Sequence, residues 1–222
     1  MPEVCILEPP GSSYHRMFQG MGWKVSNDWK LNNVDLVCFT GGTDVSPTYY
    51  GQGLHPRSQS PDIARDTLEK DVFLYCEGQG IPMVGVCRGA QFLCVGNNGA
   101  LVQHISNHAI NGRHDIITDQ GTFNVSSSHH QMMDLSGTKH TLIGYANELS
   151  EFYEGATKDN TAFRFKREVM PKDASGSVIE PEIVFFPETL SLCHQPHPEW
   201  QIGSPYEKFF FDTIEQYLGV KA

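Results

Sequence analysis

Cys87 stands between two glycines in Gly85-Val86-Cys87-Arg88-Gly89. The stretch before it, Pro82 to Val86, is short, apolar and β-branched, and reads as a buried strand. The stretch after it, with Ala90, Phe92, Leu93 and Val95, reads as a short helix closed by Gly99. A cysteine at such a turn is lifted out of the sheet, and its small neighbours allow a tight bend. The first backbone N–H groups of the helix, on Arg88 and Gly89, have no partner inside it and point near the sulfur. A helix N-terminus favours a thiolate and offers a donor to an oxyanion. The pattern suits a nucleophile; a buried structural cysteine is the alternative reading.

A nucleophilic cysteine needs a base that returns a proton to the leaving amine, and the base needs an orienting group. His197-Pro198-Glu199 offers both within three residues. Proline favours extended backbone, which with a period of two projects His197 and Glu199 to the same side. One imidazole nitrogen then meets the Glu199 carboxylate while the other faces the sulfur. A surface turn is the alternative reading.

Ten histidines raise the question of a metal. His104 and His108 are spaced i, i+4; His129 and His130 are adjacent; His194 stands near His197 and Glu199. A hydrolytic zinc needs three convergent ligands on defined elements. Ser106 and Asn107, with Asn111-Gly112 following, argue against a helix that would align His104 with His108. No metal and no cofactor is therefore expected. Ser126-Ser127-Ser128-His129-His130-Gln131 reads, from its residue types alone, as a solvated strand end.

The elements that must position these groups follow in order. Val4–Leu7 is a short strand, residues 13–20 a helix, and Trp23–Val25 a second strand. Val34–Phe39 is a buried strand that runs into Thr40-Gly41-Gly42-Thr43-Asp44-Val45-Ser46-Pro47. Residues 51–61 are loop. From Asp62 a helix is predicted with Ala64, Leu68, Val72, Tyr75 and Cys76 on its buried face. Apolar strands alternating with helices imply a parallel sheet covered on both faces, with its site beyond the strands' C-terminal ends. The Gly41-Gly42 loop and Cys87 both lie at such ends. Short β-rich segments at 114–118, 122–126, 141–146, 151–153 and 162–165 read as added antiparallel strands. Glu182–Phe186 and Leu190–Cys193 read as a hairpin, and Tyr206, Phe209, Phe210, Thr213, Ile214, Tyr217 and Leu218 as the core stripe of a last helix.

One domain over residues 1–222 is the expectation from length. A net charge of −10 argues against nucleic acid as a partner. No apolar run approaches a membrane span, and Met1-Pro2-Glu3-Val4-Cys5 lacks a signal-type segment. Six scattered cysteines suit reduced thiols in a cytoplasmic protein.

Taken together, these residues resemble the class I glutamine amidotransferase-like superfamily, and within it the γ-glutamyl hydrolase branch. The resemblance rests on Gly41-Gly42-Thr43-Asp44-Val45-Ser46-Pro47, Tyr50-Gly51, Arg65-Asp66 with Glu69, and Gly85-Val86-Cys87-Arg88-Gly89-Ala90-Gln91. It continues through Gly99-Ala100-Leu101-Val102-Gln103, Ser128-His129-His130-Gln131 and Gln195-Pro196-His197-Pro198-Glu199-Trp200, all in the family's order. It implies a flavodoxin-like α/β/α sandwich and a triad of Cys87, His197 and Glu199. It implies an oxyanion hole from the backbone N–H groups of Arg88 and Gly42. It also implies that Gln91, Ser128, His129 and His130, with Gly41 beside them, hold the ends of a γ-glutamyl group. The implied chemistry is thiolate attack on a side-chain amide and hydrolysis of a γ-glutamyl thioester.

Departures from the branch occur at Asn98-Gly99, at His104 and at Phe92-Leu93-Cys94-Val95, and the 51–65 and 155–180 segments are individual. They bear on substrate choice, since no triad member is missing. Three functions stay open: a free-standing γ-glutamyl amide hydrolase, a glutaminase subunit feeding ammonia to a separate synthetase, and a non-catalytic scaffold of the same fold. A synthetase partner and a homodimer are both compatible with the sequence.

Overall fold

The computed structural model describes residues 1–222 apart from 29, 110–111, 167–169, 171, 173–175 and 222. Asn111 and part of the individual 155–180 segment thus lie outside the described residues. Glu3–Ile6 (β1), Leu36–Phe39 (β3) and Met83–Val86 (β4) are short, largely apolar runs, and with the more polar Lys24–Ser26 (β2) and with Ser191–His194 (β14) they pair in parallel in the order β2-β1-β3-β4-β14. All four side chains of β3 are fully buried. Leu36 and Cys38 enter one apolar cluster and Val37 and Phe39 the other, as a strand covered on both faces requires.

Two helices cover each face. Ser13–Gly20 (α1) and Pro205–Thr213 (α4) bury Tyr14, Met17, Phe18, Tyr206, Phe209 and Phe210 against one side. Ile63–Gln79 (α2) and Arg88–Gly96 (α3) bury Val72, Phe73, Cys76, Phe92 and Leu93 against the other. The result is the three-layer α/β/α sandwich expected. Asp62 caps α2 through its side chain, which accepts from Arg65 N, and Gly80 ends it at φ 66°.

The face of α2 differs from the expectation. Asp66, Glu69, Val72, Phe73 and Cys76 are buried, while Ala64 is exposed and Leu68 and Tyr75 are 44% and 47% exposed. The helix is rotated because two carboxylates must meet the buried Arg88 described below. Apolar periodicity cannot register such a demand.

The second half adds Gly112–Thr118 (β7), Gly121–Ser127 (β8), Thr141–Ala146 (β10) and Pro181–Phe186 (β13), all antiparallel, extending the sheet as β14-β13-β10-β7-β8. Ala100–Val102 (β5) pairs with Met132–Asp134 (β9), and His104–Ile105 (β6) pairs with Tyr153–Ala156 (β11), which also pairs with Ala162–Arg164 (β12). These two small sheets combine strands near the expected 151–153 and 162–165 segments with three short strands that the sequence did not announce, β5, β6 and β9.

Candidate active site

Cys87 sits at the junction of β4 and α3 with φ 52° and ψ −111°, a strained conformation for a non-glycine residue. Its N–H donates to His194 O at 2.8 Å, so β14 fixes the turn from its neighbouring register. Gly89 permits the bend: a Cβ there would lie 2.1 Å from Phe39 O. All six cysteines are unpaired, and Cys87 alone is partly exposed. Burial pushes the thiols of Cys5 and Cys76 up to about 11 and 12.

Below the elbow, the Arg88 side chain turns away into the protein, 2% exposed. It pairs with Asp66 and Glu69, and its Nε donates to Thr43 O at 3.1 Å. Glu69 also accepts from Arg65 Nε at 2.7 Å. Arg65 in turn donates to Gly41 O and Thr40 O, each at 2.9 Å. Asp66 accepts from Ser46 N at 2.9 Å. One charge-balanced network therefore ties the 40–46 loop, α2 and the start of α3 together. The Arg88 backbone N–H remains at the first position of α3, beside the sulfur.

His197 reaches the elbow from the far end of the chain. Its N–H donates to Ser126 Oγ at 2.8 Å, its Nδ1 meets Glu199 Oε1 at 2.6 Å, and its ring stacks on Trp200 with centroids 3.8 Å apart. With Nδ1 held by the carboxylate, Nε2 is the nitrogen left to face Cys87, whose sulfur is near enough to act on the charge of the ring. Burial favours the neutral ring, but the Cys87 sulfur and the Glu199 carboxylate outweigh it and push His197 up to about 10. The local backbone corrects the sequence expectation. His197 is extended, but Pro198–Trp200 is a 3-10 turn, which carries Glu199 back under the ring. The turn is also no surface feature, since His197 and Glu199 are 6% and 4% exposed.

Gly41 closes the third side. A Cβ there would lie 2.9 Å from His197 Cε1 and 3.8 Å from Cys87 Cβ, so only hydrogen leaves room. Its N–H donates to the Tyr14 hydroxyl oxygen at 3.0 Å, and that oxygen is 3.5 Å from His197 Nδ1. Gly42, at φ 147°, lies against Arg65. A cleft of about 460 Å³ opens beside the loop, lined by residues including Glu8, Pro9, Thr40, Gly41, Arg65 and Leu68.

The remaining residues singled out in the sequence have their own partners. Gln91 is buried and donates to Gln195 Oε1 at 3.1 Å. Ser128 is half-buried, and His130 meets Asp44 through Nε2 at 3.1 Å. His129 turns its ring inward to meet His108, His114 and Glu182. The 126–131 run is not a solvated strand end: Ser126, Ser127, His129 and Gln131 are all buried. His194 does not join His197; its ring meets Tyr206 Oη and Thr213 Oγ1, both at 3.1 Å. His104 stacks on His55, apart from His108. Tyr14, Arg65, Ser126 and Trp200 were not singled out for these contacts. Tyr14 resembles a core residue of α1, and no spacing in the sequence links it to Gly41.

Residues 24–163 match the family model for peptidase C26. The chain is 30% identical over 159 residues to the glutamine amidotransferase-like protein YvdE of Lactococcus lactis, covering 62% of this chain and 67% of that one. It is 27% identical to the gamma-glutamyl-CDP-amidate hydrolase of Campylobacter jejuni, over 66% of this chain and 62% of that one. Alignments to three further curated relatives span 24%, 30% and 39% of their lengths. Among solved structures, a GMP synthase subunit of Thermoplasma acidophilum superposes with TM-score 0.63 at 12% identity, covering 99% of this chain and 94% of that one. The fold, the elbow and the family match converge: this chain belongs to the peptidase C26 family of class I glutamine amidotransferase-like proteins.

Proposed function

We propose that the chain hydrolyses a γ-glutamyl amide through a thioester on Cys87. The closeness of Cys87, Gly41 and His197 supports this most directly, because a sulfur and an imidazole then border the same loop glycine. The Cys87 thiolate attacks the amide carbon, and the carbonyl electrons move to an oxyanion. The N–H groups of Arg88 and Gly42 donate to it, each such donor being worth roughly 3–4 kcal/mol. The tetrahedral adduct collapses as His197 Nε2 gives its proton to the leaving nitrogen, and the C–N bond breaks. A water then loses a proton to Nε2 and attacks the thioester, releasing the γ-carboxylate and the Cys87 sulfur. Glu199 holds the ring's tautomer throughout and offsets its positive charge.

Gln91, Ser128 and His130 are proposed to border the glutamyl end, and the cleft beside Gly41 to receive the leaving amine. The relative named gamma-glutamyl-CDP-amidate hydrolase supports a leaving group larger than ammonia. A second reading, ammonia delivery to a synthetase, draws support from the GMP synthase neighbour. Turnover of glutamine and of a γ-glutamyl-amine panel by the chain alone decides between them. Efficient release of the larger amines, with glutamine slow, supports the free hydrolase. Glutamine turnover that rises only with an added synthetase supports ammonia delivery.

A further inference from the structure

Four buried side chains outside the triad point their ligand atoms at one spot. His108, His114, His129 and Glu182 are between 1% and 8% exposed, and one ligand atom from each lies within 4.8 Å of every other. His108 Nδ1, His114 Nε2 and His129 Nε2 stand 3.5, 3.6 and 3.3 Å from the same oxygen, Glu182 Oε1. None of these three nitrogens has a hydrogen-bond partner, nor does Glu182 Oε2.

In the neutral form, which a metal ligand requires, the outer ring nitrogens fix which nitrogen of each histidine is bare. His108 Nε2 meets the Glu180 carboxylate, which can only accept, so Nε2 carries the proton and Nδ1 a lone pair. His129 Nδ1 meets the Gln131 carbonyl oxygen at 2.9 Å, so Nε2 is the bare nitrogen. Ser127 Oγ donates to His108 O and therefore accepts from His114 Nδ1 at 2.8 Å, leaving His114 Nε2 bare. Three lone pairs and a carboxylate thus face one another. Four acceptors cannot satisfy each other, and leaving them together without water or a cation is costly.

We propose that these four residues form a structural zinc site. Three imidazoles and one carboxylate are a zinc donor set, and ligands about 2.0–2.1 Å from the metal at tetrahedral angles stand about 3.3–3.4 Å apart. The three distances to Glu182 Oε1 are already close to that edge. Each histidine has an outer partner that fixes its ring, including the carboxylate–histidine pair of Glu180 and His108. Glu180 is itself held by Ser150 N and the Tyr153 hydroxyl. With four protein ligands the site is closed, which marks it as structural. It would cross-link β7, β13, the 106–109 segment and the segment after β8. Ser126, one residue from Ser127, receives the His197 N–H, so the metal would stiffen the wall that carries the base. The expectation that the chain holds no metal, drawn from other histidine groupings, would then be reversed.

The test is independent of the hydrolase reading. The chain is unfolded with chelator, freed of metal, and refolded with Zn²⁺ or Co²⁺. About one equivalent of Zn²⁺ should be retained per chain through gel filtration, with a raised thermal midpoint. Co²⁺ should give the intense visible bands of four-coordination. Glu182→Gln and His108→Ala should lose the metal, and His104→Ala should keep it. Wild-type protein that refolds with native circular dichroism yet retains less than about a tenth of an equivalent would overturn the site. So would weak, six-coordinate Co²⁺ bands, or equal metal loss in His104→Ala.

Discussion

At the scale of single residues, the site is a sulfur, a ring and a carboxylate held in sequence. Cys87→Ala removes the only nucleophile proposed, so turnover should vanish while the urea midpoint stays near wild type, because the partly exposed thiol packs little. An unchanged rate in that variant would refute the thioester. His197→Ala should lower kcat by about a hundredfold or more, as loss of a general base does. The pH profile follows from the His197 ring. Its folded value of about 10 lies above an unfolded value of about 6.5, so the stability from its charged form is complete below about 6.5 and lost as pH rises through about 10. Activity should fall over the same upper limb. Glu199→Gln removes one of the two groups that raise the ring, and should move that limb to lower pH. A limb identical to wild type would mean that Glu199 does not orient this histidine.

At the scale of elements, the elbow depends on the buried network under it. Arg88→Met leaves Asp66 and Glu69 without their shared cation and should cost about 3–5 kcal/mol in denaturant unfolding. A loss under about 0.5 kcal/mol would show that the pair does not anchor α3 to α2. Gly89→Ala pushes a methyl onto the Phe39 carbonyl and should cost roughly 2–3 kcal/mol. The elbow was legible in the sequence because strand, glycines, cysteine and helix are contiguous. His197 and Glu199 were legible because they are two residues apart, although the wrong backbone was expected between them. The buried face of α2 was not, because its inward residues are acidic and their partner, Arg88, lies 19 residues beyond Glu69. The quartet of His108, His114, His129 and Glu182 was hidden for the same reason, its members coming from four separate segments.

At the scale of the whole molecule, β14 joins two differently built halves. It pairs in parallel with β4 and antiparallel with β13, so the strand that leads to His197 also locks the turn that carries Cys87. The parallel half was plain from its apolar runs alternating with helices. The short strands β5, β6 and β9 were not, since two or three residues leave no periodic trace. Hydrogen exchange should find its slowest amides in β3, β4 and β14, where side chains are buried on both faces. Faster exchange there than in β7 and β8 would place the stable core elsewhere.

The most direct measurement is peptide mass spectrometry of the chain quenched in acid during turnover of a γ-glutamyl-amine. A γ-glutamyl group should appear on the peptide containing Cys87, be absent from Cys87→Ala, and be removed by hydroxylamine. Turnover with no acyl group on that peptide, or with one on another cysteine, would contradict a thioester at the elbow.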